Sequence, residues 1–193
     1  MQDRGWESQG IEPSDYAANY AKEQLKLDVK HDYLQFDSYP PNQFDLVTLW
    51  DVFEHLPNPT ETLEIIHKIL KPGGVLLLSL PNPESWDRRW FKEAWSGWDV
   101  PRHYYVYGLK TLKQLLKRHG FRFKRIKSFT GRHGAMGISF EFLLKNRGAS
   151  EKKRQSFSKF FHSYAVRALT YPYFMFADAI NRSASMTVVF IKE

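Results

Sequence analysis

The sequence contains no cysteine among its 193 residues. This absence excludes a disulfide framework, a thiolate nucleophile and any zinc or iron site built on cysteine. Nothing in the composition requires an oxidising compartment. Any chemistry of this chain must therefore rest on other side chains.

Long uncharged apolar runs are also missing. No segment reaches the roughly 18 to 20 apolar residues that a membrane-spanning helix needs. The first ten residues, MQDRGWESQG, lack the apolar centre of a signal peptide. The starting expectation is a cytoplasmic protein.

Acidic residues are outnumbered: 28 Lys and Arg stand against 21 Asp and Glu, which gives a net charge of +7. The basic residues cluster partly within residues 118–127 and 145–159. A solvated strand face and a solvated linker explain these clusters as readily as an anionic partner does. Because the clusters have these ordinary explanations, we expect little binding to RNA or DNA.

Strand and helix patterns alternate along most of the chain. Continuous apolar runs at residues 44–50, 75–80 and 185–192 predict buried strands. Helical periodicity begins at Ser14 or Asp15, at Asn58 or Thr60, and at Thr111. Further strands are predicted at residues 7–12, 27–31 and 121–129. The alternation predicts an α/β fold in which helices sandwich a mostly parallel sheet.

Two segments depart from this alternation. Residues 83–108 hold four of the six tryptophans, and we interpret them as a functional loop with a short helix. Residues 131–182 form a predicted helical insertion before the last strand, in which Pro172 indicates either two helices or one kinked helix. This division predicts one domain from 1–130 plus 183–193 and a helical cap at 131–182.

The insertion combines aromatic residues with the basic run that precedes them. This combination fits peripheral contact with an anionic membrane surface, or a cover for a greasy small molecule. It fits equally a helical cap over a pocket, or a contact between copies in an oligomer.

Four sequence segments, in this order and spacing, resemble class I S-adenosylmethionine-dependent methyltransferases of the type 11 and type 23 group. They are GIEPSDYAANYAKE at 10–23, FDLVTLWDVFEHLPNP at 44–59, LKPGGVLLLSLPN at 70–82 and WDVPRHYYVYGLKTLKQLLKRHGF at 98–121. The resemblance implies a Rossmann-like fold, S-adenosylmethionine as cofactor, and a small-molecule or lipid-like methyl acceptor.

Candidate cofactor contacts follow three predicted strands. Glu12 ends the first, where doubly wound folds hold ribose hydroxyls. Asp32 resembles the acid that meets the adenine amino group in the family, although an ordinary solvated aspartate fits equally. Asp51 would meet the methionine amino group or cap the following turn. With their neighbours, the predicted contacts are Glu12, Pro13, Asp32, Tyr33, Trp50 and Asp51.

Two histidines are the candidate catalytic groups. Methyl transfer needs a base only if the acceptor must lose a proton, and imidazole can accept one near neutral pH. His55 lies in the FEHLPNP segment and His103 in the aromatic PRHYYVY segment. The predicted substrate-side residues are Trp98, Arg102, Tyr104 and Tyr105. The rings of the three aromatic residues either contact the substrate and cofactor or close the core. No metal site is predicted.

The glycine-rich GxGxG turn of the family has no match in the sequence. The family places this turn and its first strand before the position of Gly5, so we expect an N-terminally truncated fold. A late gene start, a fragment and a domain that has lost methyl transfer all explain this. The alternative function is accordingly a non-catalytic, methyltransferase-like binding or regulatory protein.

Overall fold

The computed structural model of the protein describes residues 5–128 and 133–193, and the backbone of Arg132. The chain divides into two compact units, Met1–Pro40 and Pro41–Glu193. The predicted boundary between residues 130 and 131 lies outside the described residues, and that division remains a prediction.

The first unit is a strand, a helix and a second strand. β1 (Gln9–Ile11) and β2 (Asp28–Lys30) pair in parallel, and α1 (Asp15–Glu23) connects them. Ser14 begins the helix because its hydroxyl accepts the N–H of Ala17 at 3.3 Å. The predicted strand, cap and helix are confirmed.

The second unit contains a four-stranded sheet in the order β3, β4, β6, β5. Its strands are β3 (Phe44–Trp50), β4 (Leu70–Pro81), β5 (Phe121–Lys127) and β6 (Ser185–Lys192). β3 and β4 are parallel, whereas β6 runs antiparallel to both β4 and β5. Three strands therefore share one direction, and the predicted α/β fold with a mostly parallel sheet is confirmed.

The longest strand begins earlier than its sequence indicated. β4 starts at Leu70, directly after α2 (Pro59–Ile69), and not at Val75. Phe44 pairs with Leu70 and Leu46 with Val75, so the strand carries a bulge of extra residues between them. Gly73 permits this bulge because its φ is +75°. The PGG sequence shapes the start of β4, and the helix has already ended at Ile69.

Two amphipathic helices cover the sheet. α2 and α4 (Leu109–Arg118) follow β3 and precede β5, respectively. Each presents its apolar residues to the core, as the periodicity predicts. The fully buried side chains of this core include Leu63, Ile66, Leu76, Leu78, Leu112, Leu116, Phe121 and Phe190.

The predicted helical insertion contains three helices. They are α5 (Arg132–Asn146), α6 (Glu151–Phe161) and α7 (Tyr164–Ala179). Two helices do replace the single periodic segment at 157–180, but the division is not at Pro172, which lies inside α7. Ser163 makes the break, because its hydroxyl accepts the N–H of Val166 at 3.5 Å and caps α7.

The aromatic segment after β4 contains α3 (Trp86–Phe91) and two short turns of 3₁₀ helix, Lys92–Ala94 and Ser96–Trp98. Its buried residues form a second core with the helical insertion: Phe91, Ala94, Trp95, Met136, Phe161 and Phe174. No helix in residues 5–128 or 132–193 has the length and apolarity needed to cross a membrane.

Candidate functional site

The carboxyl end of β3 leads directly into the candidate site. Asp51, the first residue after the strand, has a positive φ of 52° that turns the chain sharply. Its N–H bonds the carbonyl of Ser79 at 3.0 Å, and its carboxylate accepts the Ser79 hydroxyl at 3.2 Å. Trp50 remains about half exposed beside this turn. Asp51 thus has a structural partner and still keeps a solvent-exposed carboxylate.

A single 3₁₀ turn, Phe53–His55, follows and holds the aromatic segment in place. The Glu54 carbonyl accepts the N–H groups of Tyr104 at 2.9 Å and Tyr105 at 3.4 Å. The Tyr105 hydroxyl donates to the carbonyl of Pro57 at 3.4 Å. Two segments nearly fifty residues apart in sequence are therefore joined through main-chain bonds.

The two predicted catalytic histidines lie side by side at this junction. Their ring centroids are 4.6 Å apart in an edge-to-face arrangement. Nδ1 of His55 lies 3.0 Å from the carbonyl of Arg102, and Nδ1 of His103 lies 2.9 Å from the carbonyl of Gly97. A carbonyl only accepts, so each Nδ1 carries a hydrogen and Nε2 is the remaining ring nitrogen. Nε2 of His103 lies 3.8 Å from the Asp99 carboxylate, and the His103 side chain is 8% exposed.

Glu54 is a buried acid next to this pair. Its side chain is 1% exposed, and Oε2 has no hydrogen-bond partner among the described residues. Burial, more than the nearby charge of Asp51, raises the pKa of Glu54 to about 7. The Tyr107 hydroxyl is likewise buried without a described partner, and burial raises the pKa of Tyr107, with smaller contributions from Tyr105 and Glu54. The site therefore holds a protonatable carboxyl beside two imidazoles.

Glu54, His55 and His103 also satisfy the geometry of a metal site. One ligating atom from each lies within 4.8 Å of the other two. Two imidazoles with carbonyl-bonded Nδ1 groups and one carboxylate resemble the donor sets that hold divalent ions. No metal site was predicted from the sequence, because the local sequence around Glu54 does not show that this residue lies near His103.

The predicted substrate-side residues have different surroundings. Arg102 forms an exposed ion pair with Asp99 at 2.6 Å, and Tyr104 and Tyr105 are substantially exposed. Trp98 instead packs against the second core, with its indole N–H donating to the carbonyl of Lys92 at 2.8 Å. Asp99, Glu54 and Tyr107 are neighbours that the predicted site residues did not include. Only the spacing of Tyr107 two residues after Tyr105 indicated a shared face.

The first unit contains the remaining candidate residues. The Glu12 carboxylate accepts the N–H of Ser14 at 2.8 Å, and its backbone N–H bonds Lys30 at the end of β2. Asp32 follows β2 and accepts the N–H of Tyr33 at 2.7 Å. The carbonyl of Pro13 lies 3.2 Å from Nε2 of His31. Because β1 and β2 are parallel neighbours, Glu12 and Asp32 lie at the same edge of their sheet.

Carboxylates thus follow three strand ends: Glu12 after β1, Asp32 after β2 and Asp51 after β3. Residues 1–124 match the sequence profile of a family described as a methyltransferase domain. The chain belongs to this methyltransferase family. S-adenosylmethionine is the cofactor expected for it.

Curated relatives of this methyltransferase-family chain include proteins named for two different activities. It is 34% identical over 88 residues to the ubiquinone biosynthesis O-methyltransferase of Pseudomonas aeruginosa strain PAO1, covering 42% of this chain and 38% of the relative. It is 27% identical over 123 residues to phosphoethanolamine N-methyltransferase 2 of Caenorhabditis elegans, covering 63% of this chain and 26% of the relative. The chain spans less than two fifths of the length of either.

Solved structures confirm the Rossmann-like fold. A SAM-dependent methyltransferase from Archaeoglobus fulgidus superposes with a TM-score of 0.61 at 18% identity, covering 99% of this chain and 78% of the other. A SAM-dependent methyltransferase from Thermotoga maritima, described as a possible histamine N-methyltransferase, gives 0.60 at 16% identity, covering 96% and 73%. At these identities the likeness concerns the fold alone.

Proposed function

We propose that this chain serves S-adenosylmethionine-dependent methyl transfer to a hydroxyl group of a small-molecule or lipid-like acceptor. One observation carries the proposal: His55 and His103 lie in ring contact, and each has its Nδ1 hydrogen bonded to a carbonyl. This arrangement leaves Nε2 of both rings as candidate proton acceptors beside a segment rich in exposed aromatic rings, with Nε2 of His103 3.8 Å from the Asp99 carboxylate. Such a site suits an acceptor that must lose a proton.

The proposed step is an in-line displacement. The acceptor oxygen forms a bond to the methyl carbon, the carbon–sulfur bond breaks with its electron pair going to sulfur, and one imidazole Nε2 takes the hydroxyl proton. The carbonyls of Arg102 and Gly97 hold the two rings in the tautomer that can accept this proton. His55 and His103 are thus the proposed catalytic residues.

The acceptor class follows from the residues around the pair. Tyr104 and Tyr105 offer exposed aromatic faces, and Arg102 carries a positive charge next to them. An aromatic or isoprenoid molecule with a polar end fits this combination better than a charged polymer does. The named activity of the Pseudomonas relative, ubiquinone biosynthesis O-methylation, supports an oxygen acceptor. We keep the expectation of little binding to RNA or DNA.

The proposed cofactor contacts are the acids at the strand ends with their neighbours: Glu12, Pro13, Asp32, Tyr33, Trp50 and Asp51. In this proposal Glu12 accepts from ribose hydroxyls, and Asp32 accepts from the adenine amino group. Trp50 and Asp51 receive the methionine part. Charge supports these roles, because acids suit hydroxyl and ammonium donors.

A calorimetric titration with S-adenosylhomocysteine tests the cofactor part of the proposal. We expect micromolar binding by the purified chain and roughly tenfold or greater weakening in Glu12→Gln, since a hydrogen bond to a charged acceptor is lost. Glutamine retains the oxygen that accepts the Ser14 N–H, so the start of α1 is preserved.

Glu23→Gln is the matched control, because it removes the same charge at the other end of α1 and should leave binding unchanged. Equal weakening in both variants would indicate a general charge effect. Absence of binding by a chain that melts cooperatively would contradict the proposal and favour the non-catalytic alternative.

A further inference from the structure

α7 exposes an apolar half to the surface, which is unusual for a helix at a protein surface; its polar residues are Arg167, Thr170 and Asp178. Its inner side contributes Phe174 and Ala177 to the core. At about 100° per residue, the opposite half carries only apolar or aromatic side chains. They are exposed and include Tyr164, Ala168, Leu169, Tyr171, Pro172 and Phe176. We refer to these six residues as the apolar face of α7.

The exposure of this face is large. Tyr164 is 92% exposed, Leu169 81% and Phe176 58%. A contiguous apolar face of this kind marks a surface that contacts a partner or lipid, because water is a poor solvent for it. At 16 residues, α7 is about 24 Å long and too short to span a bilayer. A helix of this kind suits the plane of a membrane interface.

Aromatic rings extend the face onto α3. Trp90 is 60% exposed and stacks on Tyr173, with ring centroids 5.1 Å apart. Trp86 lies 5.8 Å from Phe176. Tryptophan and tyrosine favour the headgroup level of a bilayer because their rings are apolar and their N–H or O–H groups are polar. The patch therefore has the composition of an interfacial anchor.

The one acid of α7, Asp178, is half-buried and accepts the Ser183 hydroxyl, and the exposed charges beside the apolar face are positive. Arg167 lies at its edge on α7, and Lys159 lies just before the α6–α7 break; both are exposed. Neither forms an ion pair within the described part of the chain. Arg89 is exposed next to Trp90. A symmetric contact between two copies would bring these like charges together, whereas an anionic headgroup layer complements them.

We propose that the apolar face of α7 docks the protein on an anionic phospholipid bilayer. The helix lies parallel to the surface, Leu169 and Phe176 enter the acyl boundary, and Lys159 and Arg167 meet lipid phosphates. The face lies outside residues 1–124, which match the methyltransferase family. The inference is therefore independent of the proposed methyl transfer and can be tested without cofactor or acceptor.

Vesicle flotation with the full chain tests the docking. We expect the protein to float with vesicles of phosphatidylglycerol and phosphatidylcholine in equal parts, to bind vesicles of phosphatidylcholine alone at least about tenfold more weakly, and to lose binding as salt rises. Quenching of tryptophan fluorescence by brominated acyl chains should accompany binding and should decrease in Trp90→Phe.

Two double variants separate the apolar and the ionic contributions. Leu169→Glu with Phe176→Glu should abolish flotation. Lys159→Glu with Arg167→Glu should weaken it by roughly tenfold or more. All four positions are exposed, so circular dichroism and melting should match the parent. Leu25→Glu is the matched control, since Leu25 is a half-exposed leucine outside the face and its replacement should leave flotation unchanged.

Two results would overturn the proposal. One is the absence of flotation by a parent chain that melts cooperatively. The other is a dimer in light scattering that dissociates in the Leu169→Glu and Phe176→Glu variant, which would assign the face to a second copy of the chain. Equal binding to anionic and neutral vesicles at all salt concentrations would contradict the role of Lys159 and Arg167.

Discussion

At the scale of single residues, the carbonyl contacts of the two histidines carry the functional argument. Replacing His103 by glutamine should lower the methyl-transfer rate by about a hundredfold or more, because the proton acceptor is lost. His55→Gln should have an effect in the same direction. The rate is measured as S-adenosylhomocysteine released in the presence of an alkyl-substituted catechol as acceptor.

His119→Gln provides the matched control for this experiment. Its Nδ1 also contacts a carbonyl, that of Leu115 at 2.9 Å, but it lies at the end of α4. Its replacement should leave the rate unchanged. Equal rates in the parent, His55→Gln and His103→Gln, with S-adenosylhomocysteine binding retained, would remove both histidines from the mechanism.

A second prediction at this scale concerns the buried carboxyl of Asp87. The Tyr173 hydroxyl donates to it at 2.8 Å, while its other oxygen has no described partner. Burial raises its pKa from 3.8 to about 6, against the opposing effect of the Tyr173 hydrogen bond. The folded state therefore retains a proton that the unfolded state releases. This contribution to stability is complete below about pH 4 and is lost as pH rises through 6.

Asp87→Asn should abolish this contribution. The unfolding free energy of the variant, relative to that of the parent, should therefore increase by about 3 kcal/mol as the pH rises from 4 to 8. Urea unfolding at several pH values measures it. Asp45→Asn is the control, since Asp45 is exposed and paired with Lys71. A difference that stays constant with pH would contradict the assigned role of Asp87.

Sequence reasoning named candidate site residues more readily than it predicted their contacts. His55 and His103 were both named, since an imidazole in a family motif is a visible signal. Glu54 was not among the predicted site residues, because nothing local shows that its carbonyl would accept from Tyr104 and Tyr105. The contact joins positions about fifty residues apart, and such pairing depends on the tertiary fold rather than on local pattern.

At the scale of elements, uniform apolar runs were predicted best. Residues 44–50 and 185–192 coincide with β3 and β6 because a strand covered on both sides needs apolar residues throughout. β4 was predicted to start too late, since Pro72 and Gly73 resemble a loop and in fact form a bulge. The sequence left open two helices or one helix kinked at Pro172, because proline is a stronger local signal than the capping serine at 163.

Pro172 lies in the interior of α7, and this position leads to a prediction about the helix. Pro172→Ala restores an N–H that can donate to the carbonyl of residue 168 and removes the clash of the ring with the preceding turn. The gain of up to about 3 kcal/mol is partly offset by greater freedom of the unfolded chain. We expect a net stabilisation of about 1–2 kcal/mol.

Hydrogen exchange measures this effect locally, as increased protection of the amides of residues 168–176. A higher melting temperature should accompany it. Pro57→Ala is the control, because Pro57 is exposed and lies outside the helices, and it should not stabilise the chain. Unchanged or reduced protection in Pro172→Ala would show that the proline does not limit the stability of α7.

At the scale of the whole molecule, the two compact units differ greatly in the core they contain. The unit Met1–Pro40 has two three-residue strands and one nine-residue helix. The unit Pro41–Glu193 has a four-stranded sheet with helices and a second aromatic core. Sequence reasoning instead placed a domain boundary between residues 130 and 131, since the loss of the strand pattern after residue 129 is visible locally. The compact units are defined by contacts between residues, many of them distant in sequence, and the local sequence pattern does not show these contacts.

This difference in core size predicts different behaviour for the two units in isolation. A chain of residues 41–193 should fold and melt cooperatively, because it retains the buried side chains of the sheet and of α2 and α4. A peptide of residues 1–40 should be largely unfolded, since chains of about 40 residues without disulfides or metal seldom bury enough apolar surface. Circular dichroism melts of both, beside the full chain, make the comparison. If residues 41–193 give no cooperative transition, the stability of the larger unit depends on the first forty residues, and S-adenosylhomocysteine binding must then be tested only in the full chain.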